Sequence, residues 1–219
     1  MPTELQAVLF DMDGTLVDTE RLWRRAVEEE CLDLGLALTD ADLPYVVGRA
    51  IEDTAAHLVS RAPGRTEPSR LAAALERRFT RLVRAEVVPL PGAERLLAAL
   101  GAAGVPTALV SASPRSVVDT VLAALGRHRF GTTVAAGETP RTKPFPDPYL
   151  AALTALGAAP AACVAIEDSL AGVASAEAAE CTVLAVPSLI PVPTAPGRTV
   201  VDSLLDVDLV LLRGLTAGR

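Results

Sequence analysis

Short apolar runs alternate with longer amphipathic segments along most of the chain. The apolar runs are rich in β-branched residues and bounded by turn residues, and they predict strands at residues 7–10, 107–110, 133–135, 163–166 and 182–186. Helical periodicity fills the gaps between the later runs. This alternation predicts an α/β fold, a Rossmann-like parallel sheet with helices on both faces.

Proline and glycine mark the ends of the helices that connect these strands. The punctuation predicts helices at 93–100, from 114 to a stop at 126, and from 147 to about 157. Gly101 is expected to close the first of them, and Ser113 has the pattern of an N-cap for the second. The proline-rich stretch 190–197 is interpreted as a surface loop.

The stretch from Thr19 to about Glu86 does not follow the alternation, because it contains no convincing strand. Its amphipathic runs predict helices at 20–34, 51–61 and 68–84, with a break at 62–65. The chain therefore leaves the sheet after the first strand and returns near residue 88. We expect two domains, an α/β core formed by residues 1–18 and 88–219, and an inserted α-helical cap formed by residues 19–87.

Polar side chains follow four of the predicted strands. In chain order they are Asp11 and Asp13, Ser111 and Ser113, Lys143, and Glu167 and Asp168. Each has an ordinary structural explanation, such as a turn, a cap or a helix N-terminus. The carboxyl ends of parallel strands meet at one edge of a sheet, where ligands bind. Their convergence on that edge is the main evidence for a site.

Lys143 is set apart by composition. The chain has 20 basic residues, and Lys143 is the only lysine among them. A compact ammonium is not interchangeable with a planar guanidinium. A chain that uses arginine elsewhere is therefore expected to need lysine at this position.

This set of side chains suits phosphoryl transfer. Several carboxylates on one edge repel one another unless a cation joins them, and an all-oxygen set without His or Cys favours Mg²⁺. Asp11 could attack phosphorus, and Asp13 could protonate the departing alcohol and later activate water. Gly14 permits a tight turn there, and Ser111 can donate a hydrogen bond to a phosphoryl oxygen.

Four segments carry a resemblance to a known family. "FDMDGTLVDT", "LVSAS", "TKPFPDPYL" and "VAIEDSLAGV" resemble, in order and spacing, the four motifs of the haloacid dehalogenase superfamily. The resemblance covers residues 7 to 186 and is closest to the sugar-phosphate phosphatases and β-phosphoglucomutases, which carry a helical cap after the first motif. It implies a Mg²⁺-dependent enzyme that hydrolyses a small phosphate ester, most simply a sugar phosphate, through an aspartyl-phosphate.

The resemblance also implies residue roles. Asp11 would be the nucleophile and a metal ligand, and Asp13 the general acid/base with its carbonyl on the metal. Ser111 with the adjacent Ala112 and Lys143 would bind phosphate, and Glu167 and Asp168 would bind or support Mg²⁺. In the cap, the expected substrate contacts are Glu20, Trp23 and Arg49. His57 is interpreted as structural, and His128 as a loop residue without a role.

Two alternatives stay open. A β-phosphoglucomutase typically has a His shortly after the first motif, where this chain has Trp23, and an Arg where Ile51 falls, whereas Arg49 directly follows Gly48. A non-catalytic regulatory protein on the same scaffold is the other alternative, since fold does not fix function. The intact set of Asp11, Asp13, Lys143 and Asp168 argues against it.

Composition excludes several classes of protein. The net charge of −7 without a basic patch argues against nucleic acid as a partner, and no apolar stretch reaches the ~20 residues of a membrane span. The N-terminus lacks a basic, signal-like region, so we expect a cytoplasmic protein. Three cysteines in apolar or helical surroundings favour reduced thiols. We expect a monomer whose partner is a small phosphate ester.

Overall fold

A six-stranded parallel sheet forms the centre of the computed structural model, which describes residues 4–47, 49–62, 64–188 and 190–217. The strands are β1 Ala7–Phe10, β2 Thr107–Val110, β3 Thr132–Val134, β4 Cys163–Glu167, β5 Thr182–Ala185 and β6 Arg198–Val200. Their order across the sheet is β3-β2-β1-β4-β5-β6, and each neighbouring pair is parallel. The predicted Rossmann-like α/β fold is confirmed. The strand order reverses at β1, and such a reversal is where ligands bind in folds of this class.

Alternate side chains of the central strand enter two separate hydrophobic cores. Val8 and Phe10 belong to one core, and Ala7 and Leu9 belong to the other. All four are completely buried. A strand buried on both faces reads as a continuous apolar run, which is why residues 7–10 could be recognised in the sequence.

Helices connect the strands and cover both faces. They are α1 Glu20–Asp33, α2 Ile51–Arg61, α3 Pro68–Glu86, α4 Ala93–Ala102, α5 Arg115–Leu125, α6 Asp147–Leu156, α7 Leu170–Ala178 and α8 Leu209–Ala217. The prediction that Gly101 closes α4 was wrong, because the helix continues through it to Ala102. The glycine beyond that end is Gly104, whose φ of 67° is the left-handed conformation that ends helices.

Helices α1, α2 and α3 belong to residues 19–87, between β1 and β2 in the chain, and we call residues 19–87 the helical insert. The Trp23 indole of α1 meets the Phe79 ring of α3 edge-on, with 5.3 Å between ring centroids. The insert also touches the core, because Ser116 of α5 donates a hydrogen bond to Glu76 of α3 over 2.7 Å. Helix α3 of the insert therefore packs against α5.

Three further predictions from the sequence can be compared with the structure. No disulfide joins Cys31, Cys163 and Cys181, which are all buried. Within the described residues, every helix is too short or too polar to cross a membrane. The break predicted at 62–65 separates α2 from α3, although Pro63 lies outside the described residues.

Candidate active site

The polar residues that follow the strands do meet at one edge of the sheet. Asp11 is the first residue after β1, and its backbone N–H donates to the carbonyl of Ile166 over 2.9 Å. That hydrogen bond extends the pairing of β1 with β4, so Asp11 lies beside Glu167 and Asp168. All three carboxylates are at most 6% exposed.

Lys143 is buried among these carboxylates. Its Nζ donates to Asp11 Oδ1 over 2.7 Å, to Glu167 Oε1 over 2.6 Å and to the carbonyl of Val110 over 2.8 Å. These three bonds use all three donors of an ammonium. Burial lowers the pKa of Lys143, but the charges of Asp11 and Glu167 outweigh it and raise the pKa above its ordinary value. Lys143 therefore carries a fixed positive charge.

Glu167 is held behind Lys143 by residues of α6 and α7. The Tyr149 hydroxyl donates to its Oε1 over 2.6 Å. A Cβ atom on Gly172 would overlap the Glu167 carboxylate, so only glycine leaves room for it there. Burial raises the pKa of Glu167 to about 7, against the opposing charge of Lys143.

Asp11, Glu167 and Asp168 each offer an oxygen within 4.8 Å of the others. Lys143 is the only cation in contact with them among the described residues, and it reaches two of the three. Asp11 Oδ2 is buried and has no hydrogen-bond partner in the described part of the chain. A buried carboxylate oxygen without a donor is costly unless a cation binds it. The cluster is thus suited to a divalent ion held by oxygen ligands.

Asp168 is oriented by a residue far away in the chain. The hydroxyl of Ser188 donates to Asp168 Oδ2 over 2.5 Å. Burial, followed by the charges of Asp11 and Glu167, raises the pKa of Asp168 well above its ordinary value. Gly14 has a φ of 82°, and a side chain there would collide with the Asp168 carboxylate. The absence of a side chain at Gly14 therefore lets the turn after β1 approach the Asp168 carboxylate closely.

Three hydroxyl groups hold the carboxylate of Asp13. Thr19 donates to Oδ1 over 2.6 Å, while Ser111 and Ser113 each donate to Oδ2 over 2.9 Å. The prediction that Ser113 is an N-cap was wrong, because Pro114 precedes α5 and the hydroxyl of Ser113 is used by Asp13. Burial and the charge of Asp11 raise the pKa of Asp13, although the three hydroxyls oppose the shift.

A cavity of about 840 Å³ opens over these carboxylates. Asp11, Asp13, Lys143 and Asp168 line its floor, while Ser111 and Glu167 are not part of its lining. The helical insert contributes the opposite wall. That wall includes Glu20, Trp23, Pro44, Val47, Arg49, Ala50, Ile51, Asp53 and Phe79. The space between floor and wall is large enough for a small organic molecule.

The predicted cap residues differ in how they face this cavity. Burial, followed by the charges of Asp13 and Asp11, raises the pKa of Glu20 to about 8. Trp23 is 6% exposed and donates its indole N–H to the carbonyl of Val46 over 2.8 Å, so it both lines the cavity and packs the insert. Arg49 is exposed and donates through Nε to the carbonyl of Pro44 over 3.2 Å. Ala112 also lines the cavity, and Gly48 lies outside the described residues.

Three residues of the site were missed in the sequence. Thr19, Tyr149 and Ser188 hold the carboxylates of Asp13, Glu167 and Asp168, in that order. Thr19 and Tyr149 lie within the motif segments, so their positions could have signalled a role. Ser188 lies in a loop 20 residues after its partner, and nothing in the local sequence distinguishes it.

Comparison with known proteins identifies the family. The model of the haloacid dehalogenase-like hydrolases matches residues 5–180. The chain belongs to this family. It is 36% identical to the protein CbbY of Rhodobacter capsulatus over 84% of this chain and 86% of that protein. It is 34% identical to hexitol phosphatase B of Escherichia coli K12, over 99% of this chain and 96% of the relative.

Solved structures of this family have the same fold as this chain. CbbY from Rhodobacter sphaeroides in complex with phosphate has a TM-score of 0.85 and 27% identity, over 95% of this chain and 99% of that one. A mutant of the same protein in complex with xylulose-(1,5)-bisphosphate gives the same values. The predicted hydrolase and its superfamily are thereby confirmed.

Proposed function

We propose that this hydrolase is a Mg²⁺-dependent phosphatase that removes phosphate from a sugar or sugar-alcohol phosphate through an aspartyl-phosphate intermediate. One observation carries the proposal. At the floor of the cavity, Asp11 has one carboxylate oxygen bonded to Lys143 and the other buried without a partner. Lys143 holds the carboxylate in one orientation, in which it is suited to attack an electrophile in the cavity, and the unpartnered oxygen is suited to a cation.

In the first step, a carboxylate oxygen of Asp11 forms a bond to phosphorus while the bond from phosphorus to the ester oxygen breaks. Asp13 donates its proton to the departing alcohol oxygen. The raised pKa of Asp13 favours the protonated acid that this step needs. Lys143 neutralises part of the phosphoryl charge beside the nucleophile.

In the second step, Asp13 is a carboxylate and acts as a base. It accepts a proton from water as the water oxygen bonds to phosphorus, and the bond between phosphorus and the Asp11 oxygen breaks. Inorganic phosphate leaves, and Asp13 regains its proton for the next cycle. The hydroxyls of Thr19, Ser111 and Ser113 keep the Asp13 carboxylate in place through both proton transfers.

The residues present fit a magnesium ion. Lys143 contacts two of the three buried carboxylates, and Asp11 Oδ2 has no donor in the described part of the chain. Asp11 and Asp168 would bind the ion directly together with the carbonyl of Asp13, and Glu167, whose Oε1 already accepts two hydrogen bonds, would support them. When bound, Mg²⁺ supplies positive charge that offsets repulsion between a phosphate dianion and these carboxylates.

The helical insert, residues 19–87, would serve as the cap that covers the alcohol part of the substrate. Glu20, Trp23 and Arg49 line the wall opposite the nucleophile and would contact the alcohol part of the substrate. A sugar-type substrate is supported by the relatives, one of which is called a hexitol phosphatase and another of which was solved with xylulose-(1,5)-bisphosphate. Closure of such a cap would also exclude water until the alcohol has left.

The test is phosphate release from a panel of sugar, sugar-alcohol and small-acid phosphates, with Mg²⁺ and with EDTA. We expect release only with Mg²⁺, and best from one sugar or sugar-alcohol phosphate. β-Glucose 1-phosphate is assayed in parallel for glucose 6-phosphate, which would reveal a mutase if it formed without free phosphate. Absence of release from every ester, in folded protein with Mg²⁺, would overturn the proposal.

A further inference from the structure

A further buried acid, Asp42, lies in the helical insert and away from the nucleophile. It is 2% exposed. Its carboxylate accepts hydrogen bonds from the backbone N–H and hydroxyl of Thr39, over 2.8 and 2.6 Å, and contacts His57 Nε2 over 2.7 Å and Arg61 Nη1 over 2.6 Å. The His57 ring also stacks on Tyr45, with 4.2 Å between centroids. We call these five residues the Asp42 cluster.

The cluster ties α2 to the segment that precedes it. Asp42 belongs to a short 3₁₀ helix, Asp40–Tyr45, whose first turn is capped reciprocally by Thr39 and Asp42. His57 and Arg61 are one helical turn apart on α2, so both reach the same carboxylate. Burial would raise the pKa of Asp42, but the bonds from Thr39 and His57 and the charge of Arg61 lower it to about 2. Asp42 therefore stays ionised and holds the segment to α2 at neutral pH.

The segment held in this way forms part of the cavity wall. Its backbone carbonyls at 44, 45 and 46 accept hydrogen bonds from Arg49 Nε, Thr54 Oγ1 and Trp23 Nε1, respectively. Two of these donors, Arg49 and Trp23, line the cavity, and so do Pro44 and Val47 of the segment itself. Thr39, Asp42, His57 and Arg61 do not belong to the cavity lining. Any influence of the cluster on substrate must therefore pass through the wall.

We propose that Asp42, with His57 and Arg61, is a positioning group that sets where Pro44, Val47 and Arg49 of the cavity wall stand and thereby the affinity for the alcohol part of the substrate. The inference rests on the proposed phosphatase function. It assigns no chemical step to Asp42, because Asp42 lies outside the cavity. A misplaced wall weakens binding of a substrate that reaches it and leaves a substrate that does not reach it unaffected.

The test compares two substrates in the full-length protein with Mg²⁺. One is the best sugar phosphate of the panel, and the other is acetyl phosphate, whose leaving group is too small to reach the wall. In Asp42→Asn, we expect KM for the sugar phosphate to rise about tenfold with kcat within about threefold, and kcat/KM for acetyl phosphate to stay within about twofold. Emission of Trp23, the only tryptophan, should shift because its indole bonds to Val46 of the wall segment.

A matched control separates positioning from general stability. Arg78 of α3 joins three carboxylates of α1, namely Glu29, Glu30 and Asp33, and none of these four lines the cavity. Arg78→Met should lower the melting temperature while KM for both substrates and the Trp23 emission stay at wild-type values. His57→Phe keeps a ring beside Tyr45 and removes one bond to Asp42, so it replaces Asp42→Asn if that variant does not fold.

The outcomes are distinct. A selective rise in KM for the sugar phosphate in the Asp42 or His57 variant, absent from Arg78→Met, supports the inference. Unchanged KM in a folded Asp42 or His57 variant, or an equal rise in Arg78→Met, overturns it while the phosphatase proposal stands. Wild-type protein that hydrolyses neither substrate overturns the proposed function and this inference with it.

Discussion

Two clusters in this molecule each bring three carboxylates together beside a central cation. The core cluster consists of Lys143 with Asp11, Glu167 and Asp168, and the insert cluster of Arg78 with Glu29, Glu30 and Asp33. Their surroundings differ. The Lys143 side chain is 6% exposed and that of Glu167 is fully buried, whereas Arg78 is 22% exposed and Asp33 64%.

The two clusters also differ in their balance of charges, because Glu29 of the insert cluster is paired with two further arginines. In the core, burial raises the pKa values of Glu167 and Asp168, because little water is present to stabilise a second and third negative charge. In the insert, the hydrogen bond from Arg78 lowers the pKa of Glu29. The insert cluster is satisfied by the protein alone, whereas one lysine contacts only two of the three core carboxylates, which suits that cluster to a further cation.

The largest effect that tests this comparison is expected for Asp11→Asn. Activity should fall about 10,000-fold, because an amide does not attack phosphorus. The unfolding free energy without metal should stay equal or rise by about 1 kcal/mol, since one of the crowded charges is removed. Phosphate release and urea denaturation in EDTA measure the two quantities.

The matched control for Asp11→Asn makes the same substitution in the other cluster. Asp33→Asn should keep wild-type activity and change stability little, because Asp33 is 64% exposed and exposed ion pairs contribute about 0–1 kcal/mol. Full activity of Asp11→Asn, with the substitution verified by mass spectrometry, would refute the nucleophile assignment.

A smaller loss of activity is expected when Lys143 is replaced by the other type of basic residue. Lys143→Arg keeps the charge but places a planar guanidinium where Nζ bonds to three oxygens within 2.8 Å. We expect kcat/KM to fall about 100-fold or more, because the larger group displaces Asp11 or Glu167. The reverse exchange, Arg78→Lys, should retain activity. Wild-type rates for Lys143→Arg would show that the single lysine is not required at this position.

The core of the fold and of the site could be predicted because both depend on local signals. The strands at 7–10 and 107–110 are fully buried apolar runs. The meeting of Asp11 and Glu167 could be predicted because parallel strands have their carboxyl ends at one edge of the sheet. β6 and α8 were missed: β6 has three half-buried residues, Arg198–Val200, without an apolar run.

Residues whose roles depend on tertiary contacts could not be predicted. Ser113 precedes a proline and satisfies the local rule for an N-cap, but in the folded chain its hydroxyl meets Asp13 across 100 residues. Ser188 reaches Asp168 from a loop, and Asp42 meets His57 and Arg61 only after α2 packs on the preceding segment. No periodicity or composition encodes these meetings, because they follow from how loops and helices are placed by packing.

The smallest expected effect concerns pH and Glu20, which belongs to the insert but lies over the core acids. Its pKa is raised to about 8 in the folded protein from an ordinary value near 4.5. Between these two values the folded chain holds a proton that the unfolded chain has released, so the unfolding free energy falls as pH rises from about 5 to 8. Glu20→Gln should reduce this fall by on the order of 1 kcal/mol, discounted for the partial exposure of Glu20.

Arg78→Met should leave the slope unchanged, because the lowered pKa of Glu29 affects stability only below that range. Urea denaturation of metal-free protein at pH 5, 6, 7 and 8 measures the slope. An identical slope in wild type and Glu20→Gln would mean that the carboxylates around the nucleophile in the core do not raise the pKa of Glu20 in the insert.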